Sequence, residues 1–157
     1  MAVSDVDAQR TAEAAAPPTL LYLMKQVELA VRARLDELVR PMGLTALQYT
    51  ALTVLERHPD LTSAHLARNS FVTAQSMADM VTTLRDRGVI DRHQDPSDRR
   101  RLVLSLTPAG RDLLDDCRQA VADLEAEMLS GLTAAEATAL REAMLSCREA
   151  LRRSDST

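Results

Sequence analysis

The chain has few side chains suited to making or breaking covalent bonds, and their spacing does not bring them together. Its 3 histidines, His58, His65 and His93, do not follow zinc-ligand spacing, and its 2 cysteines, Cys117 and Cys147, are far apart in sequence. No Ser-His-Asp or Cys-His set is recognisable. The 4 glycines, Gly43, Gly88, Gly110 and Gly131, are scattered and build no phosphate cradle. These absences predict a protein that is not an enzyme and needs no metal or cofactor. The residues do favour the chemistry of recognition. Asp98-Arg99-Arg100-Arg101 concentrates guanidinium groups, whose planar forks suit phosphates and base edges, into a finger sized for a minor groove. Upstream, Thr73, Gln75, Ser76, Asp79 and Thr83 share one face of a helical segment, and short hydroxyl and amide groups there reach bases or phosphates.

Total charge points the other way. The formal net charge is −4, whereas affinity for nucleic acid comes largely from neutralising phosphates. Distribution outweighs the sum. Lys25 is the sole lysine among 19 basic residues, so the cations are arginines, and Arg85, Arg87, Arg92 and His93 cluster with the finger in sequence. Asp86, Asp91, Asp95 and Asp98 alternate with them, so the region is no simple basic patch.

The elements that must position these groups can be read from periodicity and punctuation. Apolar residues at helical spacing run from Leu20 to Val39 and stop at Pro41-Met42-Gly43. An apolar residue followed by threonine then recurs as Leu44-Thr45, Leu61-Thr62, Val72-Thr73, Leu106-Thr107 and Leu132-Thr133. Each threonine is placed to cap a helix, and Thr45 with Gln48 and Thr133 with Glu136 have capping-box spacing. Leu44 can staple onto Tyr49, Leu61 onto Leu66 and Val72 onto Met77. The expected string is helix 20–40, helix 46–57, helix 63–69, helix 74–87, hairpin 89–106, helix 108–129 and helix 134–152. Ala74, Met77, Val81 and Leu84 would form the inward face of the fourth helix, with Gly88 closing it. In the hairpin, Leu102, Leu104 and Leu106 would face one way and Val103 and Ser105 the other. The fold class is therefore mostly α with a small β-hairpin, the low aromatic content also favouring packed helices. A short helix, a turn and a longer helix over 62–87 suit a helix-turn-helix, whose second helix enters the major groove.

The run Asp98-Arg99-Arg100-Arg101-Leu102-Val103-Leu104-Ser105-Leu106-Thr107-Pro108-Ala109-Gly110 resembles the wing signature of the MarR family of winged helix-turn-helix transcription regulators. That signature is an Asp-x-Arg pair, a hydrophobic strand, then Leu-Thr-x-x-Gly. Leu84-Arg85-Asp86-Arg87-Gly88-Val89-Ile90 resembles the family's exit from the recognition helix. The resemblance spans roughly residues 20–152 and implies a DNA-binding lobe at about 45–107 with dimerisation helices at about 19–41 and 108–152. It also implies that Arg100 enters the minor groove, held by Asp98, while Arg99 and Arg101 meet phosphates or water; Arg92 is a further wing contact. Family members often carry a basic residue where this chain has Asp79. An acid there can accept from a cytosine amino group, hydrogen-bond within the protein, or weaken binding.

Residues 1–18 read as a mobile N-terminal arm and 153–157 as a C-terminal tail, leaving 19–152 as one domain. The resemblance implies a homodimer on a pseudo-palindromic operator. Leu20, Leu23 and Val27, then Leu114, Val121, Leu124 and Met128, then Leu140, Met144 and Leu151 supply its seam. It also implies repression released by a small, aromatic ligand, with Tyr22, Tyr49, Arg57 and His65 as candidate lining. With no leader or membrane span recognisable, the chain is expected in the cytoplasm, away from membranes. Two other readings stay open: a winged-helix protein-interaction module without DNA binding, and a regulator responding to oxidants through a thiol. Cys117 and Cys147 lie on apolar stripes, where thiols are commonly buried and inert.

Overall fold

Five threonine hydroxyls fix where the helices begin. Thr45, Thr62, Thr73, Thr107 and Thr133 each accept the backbone N–H of the residue three positions on, at 3.1–3.2 Å. Both expected capping boxes form, with Gln48 and Glu136 reaching back to the N–H groups of Thr45 and Thr133. The computed structural model describes residues 16–154, so the expected N-terminal arm falls almost wholly, and the C-terminal tail largely, outside the described residues. The elements are α1 (Leu20–Val39), a 3₁₀ turn (Arg40–Met42), α2 (Ala46–Arg57), α3 (Ser63–Asn69), α4 (Ala74–Asp86), β1 (Ile90–Gln94), β2 (Leu102–Leu106), α5 (Pro108–Met128) and α6 (Ala134–Ser154). The chain divides into two compact units between Arg32 and Ala33, inside α1.

In the first unit the helical stretch begins with a cap that the sequence reading passed over. The Thr19 hydroxyl accepts the Tyr22 N–H at 3.2 Å. Lys25 and Arg32 flank Glu28 on successive turns; against a desolvation cost that raises it, the Arg32 hydrogen bond first, then the charges of Arg32 and Lys25, hold the Glu28 carboxyl below the ordinary range.

The second unit has its core around α2, α3 and α4. Leu52, Leu55, Leu66, Met77, Val81, Leu84 and Leu104 are fully buried, and Leu44, Tyr49, Leu61 and Val72 join the same cluster. Burying each large aliphatic side chain stabilises the lobe by roughly 1.5–3 kcal/mol. Two expectations are corrected here. Ala74 is exposed and Met80 packs on the core instead, because the apolar stripe of α4 begins one turn into the helix. In β2, Leu102 is exposed whereas Val103 is buried along with Leu104, so strict alternation fails where both faces are covered.

The hairpin is antiparallel, pairing Ile90 with Leu106, Arg92 with Leu104 and Gln94 with Leu102. β2 is also bridged on its other edge. Leu104 donates its N–H to Leu61 O at 2.8 Å, and Asp60 donates to Leu104 O at 3.1 Å. The Arg87 guanidinium donates to Gly43 O at 2.6 Å and Met42 O at 2.9 Å, tying the exit of α4 to the turn after α1. Asp36 accepts the Ala46 N–H at 2.5 Å and fixes the same corner from the other side. No helix among the described residues is long and apolar enough to cross a membrane.

Candidate nucleic-acid interface

The arginine finger lies in the connection between β1 and β2, and its shape comes from two aspartates. Asp95 is nearly buried, and its Oδ1 accepts from both the Ser97 N–H at 2.9 Å and the Ser97 hydroxyl at 2.7 Å. These bonds, Ser97's hydroxyl foremost, hold the Asp95 carboxyl below the ordinary carboxylate range. Backbone bonds close the loop: Asp95 N–H to Arg101 O at 2.9 Å, Asp98 N–H to Asp95 O at 3.2 Å and Arg101 N–H to Asp98 O at 2.9 Å. The Asp98 side chain accepts the Arg100 backbone N–H at 3.0 Å. Asp98 thus positions Arg100 through its amide and leaves the guanidinium unengaged. Arg101 stands loosely against Asp95 at 3.9 Å. Arg92, Arg99 and Arg100 are exposed, and their guanidinium groups make no ion pair among the described residues. Turn chemistry identified Asp95 only as a loop former; its part as the organising acceptor depends on Ser97, two residues on.

Near the tip end of β1, one pair from the loop, His93 Nε2 meets Asp60 Oδ1 at 2.8 Å, across 33 positions of sequence. Asp60 has a left-handed φ of 63°, which aspartate tolerates better than most residues. Of the cations grouped with the finger by sequence, Arg87 is taken up by the Met42 and Gly43 carbonyls and His93 by Asp60.

On α4 the five candidates are all exposed, yet their polar groups are differently committed. The Thr73 hydroxyl accepts the Ser76 N–H and donates to Ser76 Oγ at 3.0 Å, so it is committed to the cap while the Ser76 hydroxyl keeps its own O–H. Thr83 donates its hydroxyl to Asp79 O at 3.1 Å. Gln75 Nε2 approaches Asp79 Oδ1 at 3.5 Å, one turn apart. Of the three alternatives for Asp79, the geometry thus contains the intramolecular one, at the limit of a hydrogen bond.

The candidate lining residues are spread. Arg57 borders an open groove of about 290 Å³ with Thr53, Val54, His58, Asn69 and Arg148. His65 hydrogen-bonds the Thr62 hydroxyl through Nδ1 at 2.9 Å, and the half-buried Tyr49 packs on the core. Tyr22 is 56% exposed and accepts a hydrogen bond from Gln26. Cys117 is fully buried, which pushes its thiol pKa up and keeps it protonated; Cys147 is exposed.

The arrangement of capped helix pair, braced hairpin and arginine tip has close counterparts. A MarR family profile matches residues 42–101. The HTH-type transcriptional repressor Rv2887 of Mycobacterium tuberculosis is 34% identical over 113 residues, covering 72% of this chain and 81% of the repressor. The chain belongs to the MarR family. The crystal structure of Rv2887 with salicylic acid is 31% identical, with a TM-score of 0.70 over 85% of this chain and 98% of that one. Wild-type MarR from E. coli in its apo form is 26% identical, with a TM-score of 0.71 over 83% of this chain and 97% of its own. This MarR-family chain is a DNA-binding transcription regulator and not an enzyme, and its fold is the winged helix expected from the wing motif.

Proposed function

We propose that the chain is a homodimeric, cytoplasmic repressor that places α4 of each subunit in the major groove and its wing in the adjacent minor groove. Release by a small aromatic acid completes the reading. The observation that carries it is the wing tip, where Arg99 and Arg100 are exposed without an ion pair on a loop closed by Asp95 and Asp98. The pre-formed loop has little backbone freedom left to lose on docking, and an unpaired guanidinium on it is drawn to the negative potential of a narrow minor groove. Gln75 is the base-reading amide, since it offers both a donor and an acceptor whereas the Thr73 hydroxyl is already spent on the helix cap and Ser76 retains only its own O–H to donate. Asp79 steadies Gln75 through its Oδ1.

For the ligand, the groove bordered by Arg57, His58 and Arg148 has the chemistry to hold a carboxylate beside Val54. The salicylic acid complex of Rv2887 supports that ligand class. The test is footprinting on DNA flanking the gene, followed by titration of the protected duplex. Wild-type binding should weaken steeply with salt. Arg100→Ala should bind at least about five-fold more weakly, the lower end for a lost specific contact, with unchanged melting. Salicylate should release the wild-type complex and leave Arg57→Ala bound. Unchanged operator affinity in a folded Arg100→Ala protein would sink the wing assignment.

A further inference from the structure

Three turns in this chain share one backbone conformation, and one of them carries an unexpected residue. After α1 and its 3₁₀ turn, Gly43 has φ 72° and the next N–H, that of Leu44, returns to Val39 O at 3.2 Å. After α4, Gly88 has φ 71° and Val89 N–H returns to Leu84 O at 3.2 Å. After α3, Val72 N–H returns to Ala67 O at 3.1 Å in the same way, but the left-handed residue, at φ 58°, is Phe71. Glycine is the usual occupant because a β-carbon is disfavoured at positive φ, and a bulky aromatic there is an outlier. Packing does not offset the strain. The ring is 89% exposed, more than any other large apolar side chain among the described residues, and Phe71 is the sole phenylalanine (Phe 1) of the sequence. The preceding Ser70 is 1% exposed, and its hydroxyl has no hydrogen-bond partner among the described residues. The turn thus keeps features that folding alone does not favour.

We propose that Phe71 is a specificity-determining residue whose ring packs on the C5-methyl of a thymine in the major groove at the edge of each half-site. This rests on the reading of α4 as the groove-entering helix. Phe71 lies two residues before Thr73, the N-cap of α4, at the end that carries exposed Gln75. In helix-turn-helix docking that end approaches base edges. Thymine alone presents a methyl there, and phenylalanine is one of the side chains that contact it. Arg68, in the preceding helical turn, is exposed and makes no ion pair among the described residues, which favours a phosphate-bearing partner over an apolar peptide.

The experiment uses the full chain and its footprinted operator, replacing thymines one at a time by deoxyuridine, which removes only the methyl. Wild type should lose at least about five-fold in affinity at one thymine of each half-site. Phe71→Asn, suited to the left-handed turn, should bind the unmodified operator with the same loss and no further loss on the deoxyuridine duplex. Phe71→Leu should keep most of the methyl dependence. Phe71→Gly should melt at the wild-type temperature or roughly 2–4 °C above it, separating recognition from folding. Indifference of wild type to every deoxyuridine, or equal methyl dependence in wild type and Phe71→Asn, overturns the proposal alone. Failure of wild type to bind any duplex in a salt-dependent manner overturns the groove reading beneath it as well.

Discussion

Gly110 shows how much of the wing signature is architecture rather than DNA contact. A β-carbon built there would lie 2.1 Å from the Val89 carbonyl oxygen, which already accepts the Thr107 N–H at 3.1 Å. Thr107 meanwhile donates its hydroxyl to Gly88 O at 2.6 Å and accepts the Gly110 N–H at 3.1 Å. The Leu-Thr-x-x-Gly run is therefore a clasp that fastens the start of α5 to the exit of α4. Because the clashing atom is backbone, Gly110→Ala must displace α5 or the start of β1. We expect a loss of at least about 1–3 kcal/mol, the usual cost of overpacking, read as a lower urea midpoint with an unchanged slope. Gly131→Ala is the control: nothing lies within 4 Å of its β-carbon and its φ is ordinary, so stability should hold. A neutral Gly110→Ala would mean that this close approach relaxes at no cost.

At the scale of elements, what could be read in advance depended on how far the deciding partner lay along the chain. The five helix starts were legible because an N-cap threonine finds its partner three residues away. Gly88 was legible because one residue's backbone sets the turn. The brace under the wing was not, since Asp60 with His93 and Leu61 with Leu104 join positions about a quarter of the chain apart without a local signal. The arginine tip was legible as charge, but which arginines are free was not. That depends on Asp98 capping an amide, Asp95 facing Arg101, and Arg87 turning to the Met42 and Gly43 carbonyls. The wing's dependence on Asp95 has a pH consequence. Its carboxyl is held low by the Ser97 bonds, so the folded loop favours the ionised form more than the open chain does. That contribution is complete above the ordinary carboxylate range and is lost as pH falls through the lowered folded value. The Ser97 amide resonance should therefore stay constant through neutral pH and move only in acid, below the midpoint of an exposed aspartate. Asp95→Ala should remove the transition and weaken operator binding while leaving the helical core intact. A Ser97 transition at or above the ordinary aspartate range would contradict this account.

For the whole molecule, the decisive feature is a helix that the described residues leave uncovered. α6 is 21 residues long and none of its described side chains is buried, yet it carries an apolar stripe. Leu140, Met144 and Leu151 are 40%, 52% and 69% exposed, and Leu145 beside them is also exposed. Amphipathic helices owe most of their stability in proteins to burying such a stripe. On α5 the anticipated seam divides by depth. Leu114 is buried in the chain's own core and is removed from the seam, Val121 packs against that core, Leu124 is half-buried, and Met128 is exposed. Leu20, Leu23 and Val27 of α1 are likewise exposed. Under the dimer proposed above, a second copy of the chain would cover the α6 stripe, as suits a regulator reading a two-fold site. Sedimentation at micromolar concentration should give a dimer, and the footprint should cover a pseudo-palindrome with half-sites about one helical turn apart. Met144→Glu places a charge in the stripe and should shift the protein towards monomer. Its DNA-binding lobe would be untouched, so each half-site could still be visited singly. Affinity for the full operator should then fall to nearly that for an isolated half-site. Leu114→Ala should behave differently, lowering melting through a core cavity while leaving the dimer in place. A wild-type monomer at micromolar concentration, or a footprint on one asymmetric half-site, would leave the exposed stripe of α6 without this explanation.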